Sequence, residues 1–218
     1  MVPRVKICCI ASEAEASLAV RLGASALGLV SEMPSGPGVI AEETIRRIAK
    51  GVPPGVSSFL LTSRQDVDSI VAQQKRTGVS TIQLVDELSP GSHEKLRDAL
   101  PGIRVVQVIH VMNESSVEEA SSVAPYVDAL LLDSGNPKLA VKELGGTGRT
   151  HDWALSRKIR DAVSIPVFLA GGLTASNVRA AIEEVSPFGV DVCSGVRTDG
   201  KLDGIKAEDF IRTAQSCV

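Results

Sequence analysis

Residues 166–196 read PVFLAGGLTASNVRAAIEEVSPFGVDVCSGV, and this stretch decides the fold. Pro166–Ala170 is a short apolar run closed by Gly171 and Gly172, too brief for a stable helix. Within Ser176–Val185, Val178, Ala181 and Ile182 recur at i, i+3 and i+4, which gives a helix one apolar face. Gly189–Cys193 is a second short run, closed by Ser194 and Gly195. The first run is apolar at consecutive positions rather than alternate ones, as in a strand covered on both faces. Strand, helix and strand in that order make a parallel crossover.

The same unit recurs outward from this stretch. Further strands are expected at Val5–Ile10, Ala26–Val30, Ser57–Thr62, Thr81–Val85, Arg104–Val111 and Asp128–Asp133. Helical segments include Ser12–Leu22, Glu42–Lys50, Asp66–Lys75, Ser116–Val123 and Lys206–Gln215. Ser12 with Glu15 fits a capping box, and Gly23 is a natural stop for that helix. Eight strands alternating with helices suit an open doubly wound sheet or a closed barrel. In a chain of 218 residues eight units favour closure. The expected architecture is α/β, a single (β/α)8 TIM barrel spanning residues 1–218. Ser134–Thr150, glycine-rich and barely periodic, then reads as a long catalytic loop.

Composition agrees. Hydrophobic residues make up 44% and aromatics 3%, so the core is built from Val, Ile, Leu and Ala. A net charge of −3 supplies no broad cationic field for nucleic acid or an anionic membrane. No apolar run reaches the roughly 18 residues of a membrane span, and the start of the chain does not read as a signal peptide. The four cysteines show no metal-ligand spacing. Cys8 and Cys9, adjacent on an extended segment, are expected to face opposite sides and not to share a metal. A cytoplasmic protein without metal or organic cofactor is the expectation.

In such a barrel the chemistry gathers where strands end. Cys8 falls near the end of the first strand and Asp133 at the end of the sixth. A thiol able to take a proton and a carboxyl able to give one form a candidate acid/base pair. Taken singly, the cysteine also reads as a small buried hydrophobe and the aspartate as a loop cap. Gly171, Gly172, Ser194 and Gly195 follow the seventh and eighth strands, the common phosphate site of this fold. Their backbone N–H groups can converge on a phosphate, although glycines there also serve tight turns. A small phosphorylated substrate is the expected partner.

These residues resemble the phosphoribosylanthranilate isomerase family of tryptophan biosynthesis. Lys6-Ile7-Cys8 matches the family's K-I-C-G start. Asp128–Asp133, then Gly145, Gly146, Thr147 and Gly148, then Asp152-Trp153, match D-A-L-L-L-D, G-G-T-G and D-W. Leu169–Leu173 with Asn177, and Gly189–Val196, match the remaining signatures, so the likeness runs through the whole chain. The resemblance implies an Amadori rearrangement of N-(5-phosphoribosyl)anthranilate to the 1-deoxyribulose 5-phosphate aminoketose. It makes Asp133 the general acid and Cys8 the general base. Gly171, Gly172, Ser194 and Gly195 would hold phosphate, and Gly145, Gly146, Thr147 and Gly148 would shape a loop over the sugar. No cofactor is implied, and members occur as monomers or homodimers.

Three positions depart from the pattern. Cys9 stands where the family has glycine. Pro37 stands at the arginine that meets the anthranilate carboxylate, which leaves Arg64 and Arg149 as candidate replacements. Val85-Asp86 stands where the family has His-Gly, while His110 and His151 appear elsewhere. Three readings follow: a divergent phosphoribosylanthranilate isomerase, a paralogous isomerase of another phosphoribosylamine or phosphosugar, and a non-catalytic phosphometabolite-binding barrel.

Overall fold

The computed structural model describes residues 2–136, 139, 141–146 and 148–217. Eight parallel strands form a closed ring in sequence order, β1 (Arg4–Ile7), β2 (Ala26–Val30), β3 (Ser57–Thr62), β4 (Thr81–Leu84), β5 (Arg104–His110), β6 (Ala129–Asp133), β7 (Val167–Leu169) and β8 (Gly189–Val192). The helices between them are α1 (Glu13–Arg21), α2 (Glu42–Gly51), α3 (Val67–Thr77), α4 (Ser92–Ala99), α5 (Ser115–Val123), α6 (Trp153–Ala162) and α7 (Val178–Val185), and α8 (Gly204–Gln215) closes the chain. The (β/α)8 expectation holds, with β2 and β3 at the residues anticipated.

Side-chain parity sorts the core into two parts. Val5, Ile7, Leu27, Leu29, Leu60, Ile82, Leu84, Leu130, Leu132, Val190 and Val192 face outward and pack against the helices. The alternate positions, Ala26, Val30, Phe59, Leu61, Val106, Val108, Leu131 and Phe168, fill the barrel interior. Successive strand residues point to opposite faces, so each polar residue two positions from an interior one also points inward. That rule places Lys6, Cys8, Gln83, His110, Asp133, Asp191 and Cys193 inside the barrel.

Local signals set the helix ends. The Ser12 hydroxyl accepts the Glu15 N–H at 3.2 Å, and the Glu15 carboxylate accepts the Ala11 N–H at 3.0 Å. Two helices lay outside the periodic segments anticipated. In α4 only His93 and Leu96 are buried, too thin a stripe to stand out. In α6 Leu155 and Ile159 form the stripe, directly after the aperiodic loop, and the Asp152 carboxylate caps it by accepting from Ala154 and Leu155. A small antiparallel ribbon, β9 (Arg197–Thr198) with β10 (Lys201–Leu202), was likewise not anticipated, its strands being two residues each.

The ring closes between β1 and β8, where Lys6 lies in register with Asp191. The Lys6 ammonium is fully buried and donates to Asp191 Oδ2 at 2.8 Å. Burial alone would push the lysine pKa down; the Asp191 charge and the nearby Cys8 outweigh it and hold it above its usual value. Beyond β1 the chain turns at Cys9, whose φ is 61°, the left-handed region that a side chain resists. This turn breaks the alternation, so Cys9 and Cys8 both line one cavity, contrary to the opposite-face expectation.

Two outcomes follow for stability, read by urea denaturation. Lys6→Met strands a buried carboxylate and should cost about 3–5 kcal/mol, whereas Lys6→Met with Asp191→Asn should recover at least half of that. A single variant indistinguishable from the native protein would show that the pair does not hold the seam. At position 9, Cys9→Gly and Cys9→Ala both lose the sulfur but only glycine tolerates the turn. The glycine variant should be the more stable by about 1 kcal/mol, after allowing for its greater unfolded-state freedom. Equal stabilities would mean that the turn carries no strain.

Candidate active site

The interior-facing polar residues converge at the C-terminal ends of the strands. One cavity there is lined by Cys8 and Cys9 after β1, Gln83 on β4, Asp133 ending β6, Gly171 after β7, and Asp191 and Cys193 at β8. Its roof comes from the β2–α2 loop, with Ser35 and Pro37, and from the β6–α6 loop, with Leu144, Gly145 and Gly146. The two roof segments touch, for a Cβ built on Gly146 would lie 2.6 Å from the Pro37 ring.

Cys8 is buried, and its thiol fills space that Gly28 of β2 leaves beside the Lys6 ammonium. Asp133 sits across the ring from it, half-buried at the barrel mouth. The Asp133 Oδ1 accepts the Ser134 N–H at 2.7 Å, and the backbone at Gly145 lies so close that a Cβ there would be 2.5 Å from Oδ2. Enclosure by these loops pushes the Asp133 carboxyl above the usual carboxylate range, against opposing pulls from the Ser134 N–H, His110 and Lys6. His110 pairs with Asp133 in the β5–β6 register and donates from Nε2 to the Val85 carbonyl at 3.1 Å. Its Nδ1 is buried with no hydrogen-bond partner. The strand end thus holds an acid inclined to keep its proton opposite a thiol next to a fixed positive charge.

The four residues expected to hold phosphate lie together. Gly171 and Gly172 form the turn after β7, and the Asn177 side chain fixes it by donating to the Gly172 carbonyl at 3.0 Å. Ser194 and Gly195 begin a short 3-10 turn after β8, packed against the Leu173 carbonyl. A Cβ on Gly172 would meet the Arg149 carbonyl carbon at 2.7 Å, so here glycine also admits the incoming β6–α6 loop. His151, at the end of that loop, is bound through Nε2 to Ser156 Oγ at 2.7 Å, and burial pushes its pKa down to about 4.

Gly145 and Gly146 lie over the cavity, Gly148 approaches Ser194, and Thr147 lies outside the described residues. Neither Arg64 nor Arg149 lines the cavity. Arg64 faces Glu42 at 3.8 Å, and Arg149 is paired with Glu143. Gln83, Asp191 and Cys193 were not among the residues singled out for the site. Their signal was legible, since each is a polar or sulfur residue at an inward position of an otherwise apolar strand. Among the described residues no group of three His, Cys, Asp or Glu is placed to hold a metal ion, and no helix is long and apolar enough to cross a membrane.

Residues 5–213 match the family model described as N-(5'phosphoribosyl)anthranilate (PRA) isomerase. The chain is 35% identical over 215 residues to N-(5'-phosphoribosyl)anthranilate isomerase 2 of Methanosarcina mazei, covering 98% of this chain and 94% of that one. It is 37% identical over 217 residues to the Haloarcula marismortui N-(5'-phosphoribosyl)anthranilate isomerase, covering 97% and 96%. Among solved structures, phosphoribosyl anthranilate isomerase of Thermotoga maritima superposes with a TM-score of 0.83 at 33% identity, over 97% of this chain and 98% of that one. A phosphoribosyl anthranilate isomerase in complex with reduced 1-(o-carboxyphenylamino)-1-deoxyribulose 5-phosphate superposes with a TM-score of 0.81 at 31% identity, over the same shares. With its closed barrel and a match from the first strand to the last helix, this chain belongs to the N-(5'-phosphoribosyl)anthranilate isomerase family, enzymes of tryptophan biosynthesis that interconvert an aldose and a ketose within one molecule.

Proposed function

We propose that this chain rearranges N-(5-phosphoribosyl)anthranilate with Asp133 as general acid and Cys8 as general base. The observation that carries the assignment is that both groups line one cavity, from the first and sixth strands of the ring. Asp133 protonates the furanose ring oxygen while the anilino nitrogen lone pair expels it from C1, leaving an open-chain Schiff base. Cys8 removes the proton from C2, and the electron pair moves into a C1–C2 double bond and neutralises the nitrogen. The resulting enol-amine gives up its C2 hydroxyl proton and gains one at C1, so that C2 becomes the ketone. Protons given and taken balance, and no outside oxidant or reductant enters.

The raised carboxyl suits this role, because an acid must still hold its proton near neutral pH. Gly171, Gly172, Ser194 and Gly195 present backbone N–H groups to the 5-phosphate, and Gly145, Gly146 and Gly148 cover the sugar. Val30, Met33, Pro37 and Leu61 offer the anthranilate ring an apolar berth. Every residue invoked lies on one chain, so a monomer and a homodimer serve equally. Arg149 rides on the covering loop and is the cation that loop movement can bring to the carboxylate, whereas Arg64 is engaged by Glu42 on α2.

The test is turnover of freshly made N-(5-phosphoribosyl)anthranilate, followed by loss of its fluorescence. The native protein should turn it over, and Asp133→Asn and Cys8→Ala should each lower kcat by about a hundredfold or more. The alkaline limb of native kcat should reflect loss of the Asp133 proton, falling as pH rises through a value above the ordinary carboxylate range. Absence of turnover by the native protein sinks the substrate assignment, and an unaffected Asp133→Asn sinks the acid. Arg149→Ala should raise KM about tenfold, the scale of one charge-assisted hydrogen bond, with Arg64→Ala near native. The reverse pattern would move the carboxylate site to the β3 side.

A further inference from the structure

The site holds two thiols that the proposed mechanism does not use. Cys9 and Cys193 line the same cavity as Cys8. The backbone explains why. On the β1–β8 seam Ile7 lies in register with Val192, and the Cys8 N–H donates to the Val192 carbonyl at 2.8 Å, which brings Cys193 level with the end of β1. The left-handed turn at Cys9 then swings its side chain inward instead of toward the helices. The Cys9 thiol thus shares one corner of the cavity with Cys193 and Cys8, and its sulfur is 3.7 Å from the Pro37 carbonyl.

Arg197 organises this corner. Its Nη2 donates to the Cys8 carbonyl at 3.3 Å and to the Cys9 carbonyl, while the Glu15 carboxylate holds the guanidinium from the other side. The Arg197 side chain is only 9% exposed, and its Nε has no hydrogen-bond partner. Its charge lies beside Cys193, the more exposed of the two thiols.

We propose that Cys9 and Cys193 form a reversible disulfide under hydroperoxide, and that this bridge shuts the catalytic cavity. The two thiols divide the roles by their surroundings. Contact with Cys9 and the Arg197 charge together lower the Cys193 pKa, whereas hydrogen bonding with Cys193 and burial raise that of Cys9. Cys193 is therefore the attacking thiolate. Its sulfur takes the distal oxygen of the peroxide as the O–O bond breaks; the leaving alkoxide or hydroxide is protonated, and a sulfenic acid remains. The Cys9 sulfur then attacks the sulfenic sulfur and loses its proton, and water departs as the S–S bond forms. One peroxide is reduced and two thiols are oxidised. The bridge ties the turn after β1 to the end of β8 across the cavity and draws the Cys9 sulfur from the Pro37 carbonyl.

The experiment exposes the fully reduced native protein to stoichiometric hydrogen peroxide, blocks remaining thiols with iodoacetamide and maps the peptides by mass spectrometry. A Cys9–Cys193 cross-link is expected. Turnover should fall at least tenfold and return with dithiothreitol. In Cys9→Gly, the same dose should leave Cys193 as a sulfenic acid trapped by dimedone, with no bridge. Cys193→Ser should form no bridge either, which guards against a misfolded glycine variant. A cross-link joining Cys8 to either thiol, an unmodified Cys193, or a bridged protein that keeps its turnover would each overturn the proposal. The activity reading rests on the isomerase assignment, but the cross-link does not. Native protein that bridges yet never turned over substrate would count against that assignment alone.

Discussion

The barrel is closed around a lysine that has no water to face. Lys6 and Asp191 lie opposite one another on the first and last barrel strands, and their 2.8 Å contact spans the one seam that joins residues far apart in the chain. Burying two ions costs several kcal/mol each in lost hydration, and their attraction offsets that only with close geometry. Apolar residues would close such a seam with less risk, so the pair is better understood through what surrounds it. The ammonium also lies 5.4 Å from the centre of the Phe59 ring and beside the Cys8 thiol, while Asp191 lines the cavity with Oδ1 unpartnered. Closure of the fold and the electrostatics of the site thus depend on one interaction. The positive charge lies beside the candidate base, and the spare carboxylate oxygen stays buried at the cavity wall.

Much of the architecture was legible because barrel strands are buried on both faces and read as unbroken apolar runs. β2 and β3 fall at the residues anticipated, and the others differ by one to three residues at their ends. What was not legible has physical causes. α4 buries a stripe of two residues, so its period is invisible beside its charges. The β9–β10 ribbon is held by its contacts rather than by local propensity. The Glu15 carboxylate accepts the Leu202 N–H at 3.0 Å and meets Arg197, long-range bonds that no local pattern announces. At the site, strand-end position exposed Cys8 and Asp133 at once. The pairing of Lys6 with Asp191 needed the register of two strands 185 residues apart.

The glycines show how one sequence signal can carry two causes. Gly171 and Gly172 sit where this fold binds phosphate, yet a Cβ on either would strike the loop at Arg149–His151 before any ligand arrived. The two causes are compatible, because the backbone that passes over these glycines comes from the loop that also lies on Asp133. The turn that would hold one end of a substrate and the acid that would act on the other are therefore roofed by a single segment. Pro37 belongs to the same roof. Packed against Gly146, it closes the cavity from the β2 side.

Cys9 carries this logic furthest. A side chain in the left-handed region costs about 1–2 kcal/mol relative to ordinary backbone, and a glycine would avoid it. The strain is tolerated because neighbouring groups over-determine the turn. Arg197 clamps the carbonyls on both sides of it, Glu15 clamps Arg197, and Gly38 leaves room for the sulfur. Such a network would hold a glycine equally well, so the clamp alone gives no reason for a thiol. What the side chain adds is position, since the turn that strains the backbone also brings a second sulfur into the cavity that Cys193 lines. Strain maintained by so many partners, at the edge of a catalytic cavity, is easier to understand as the condition of a function than as tolerated drift.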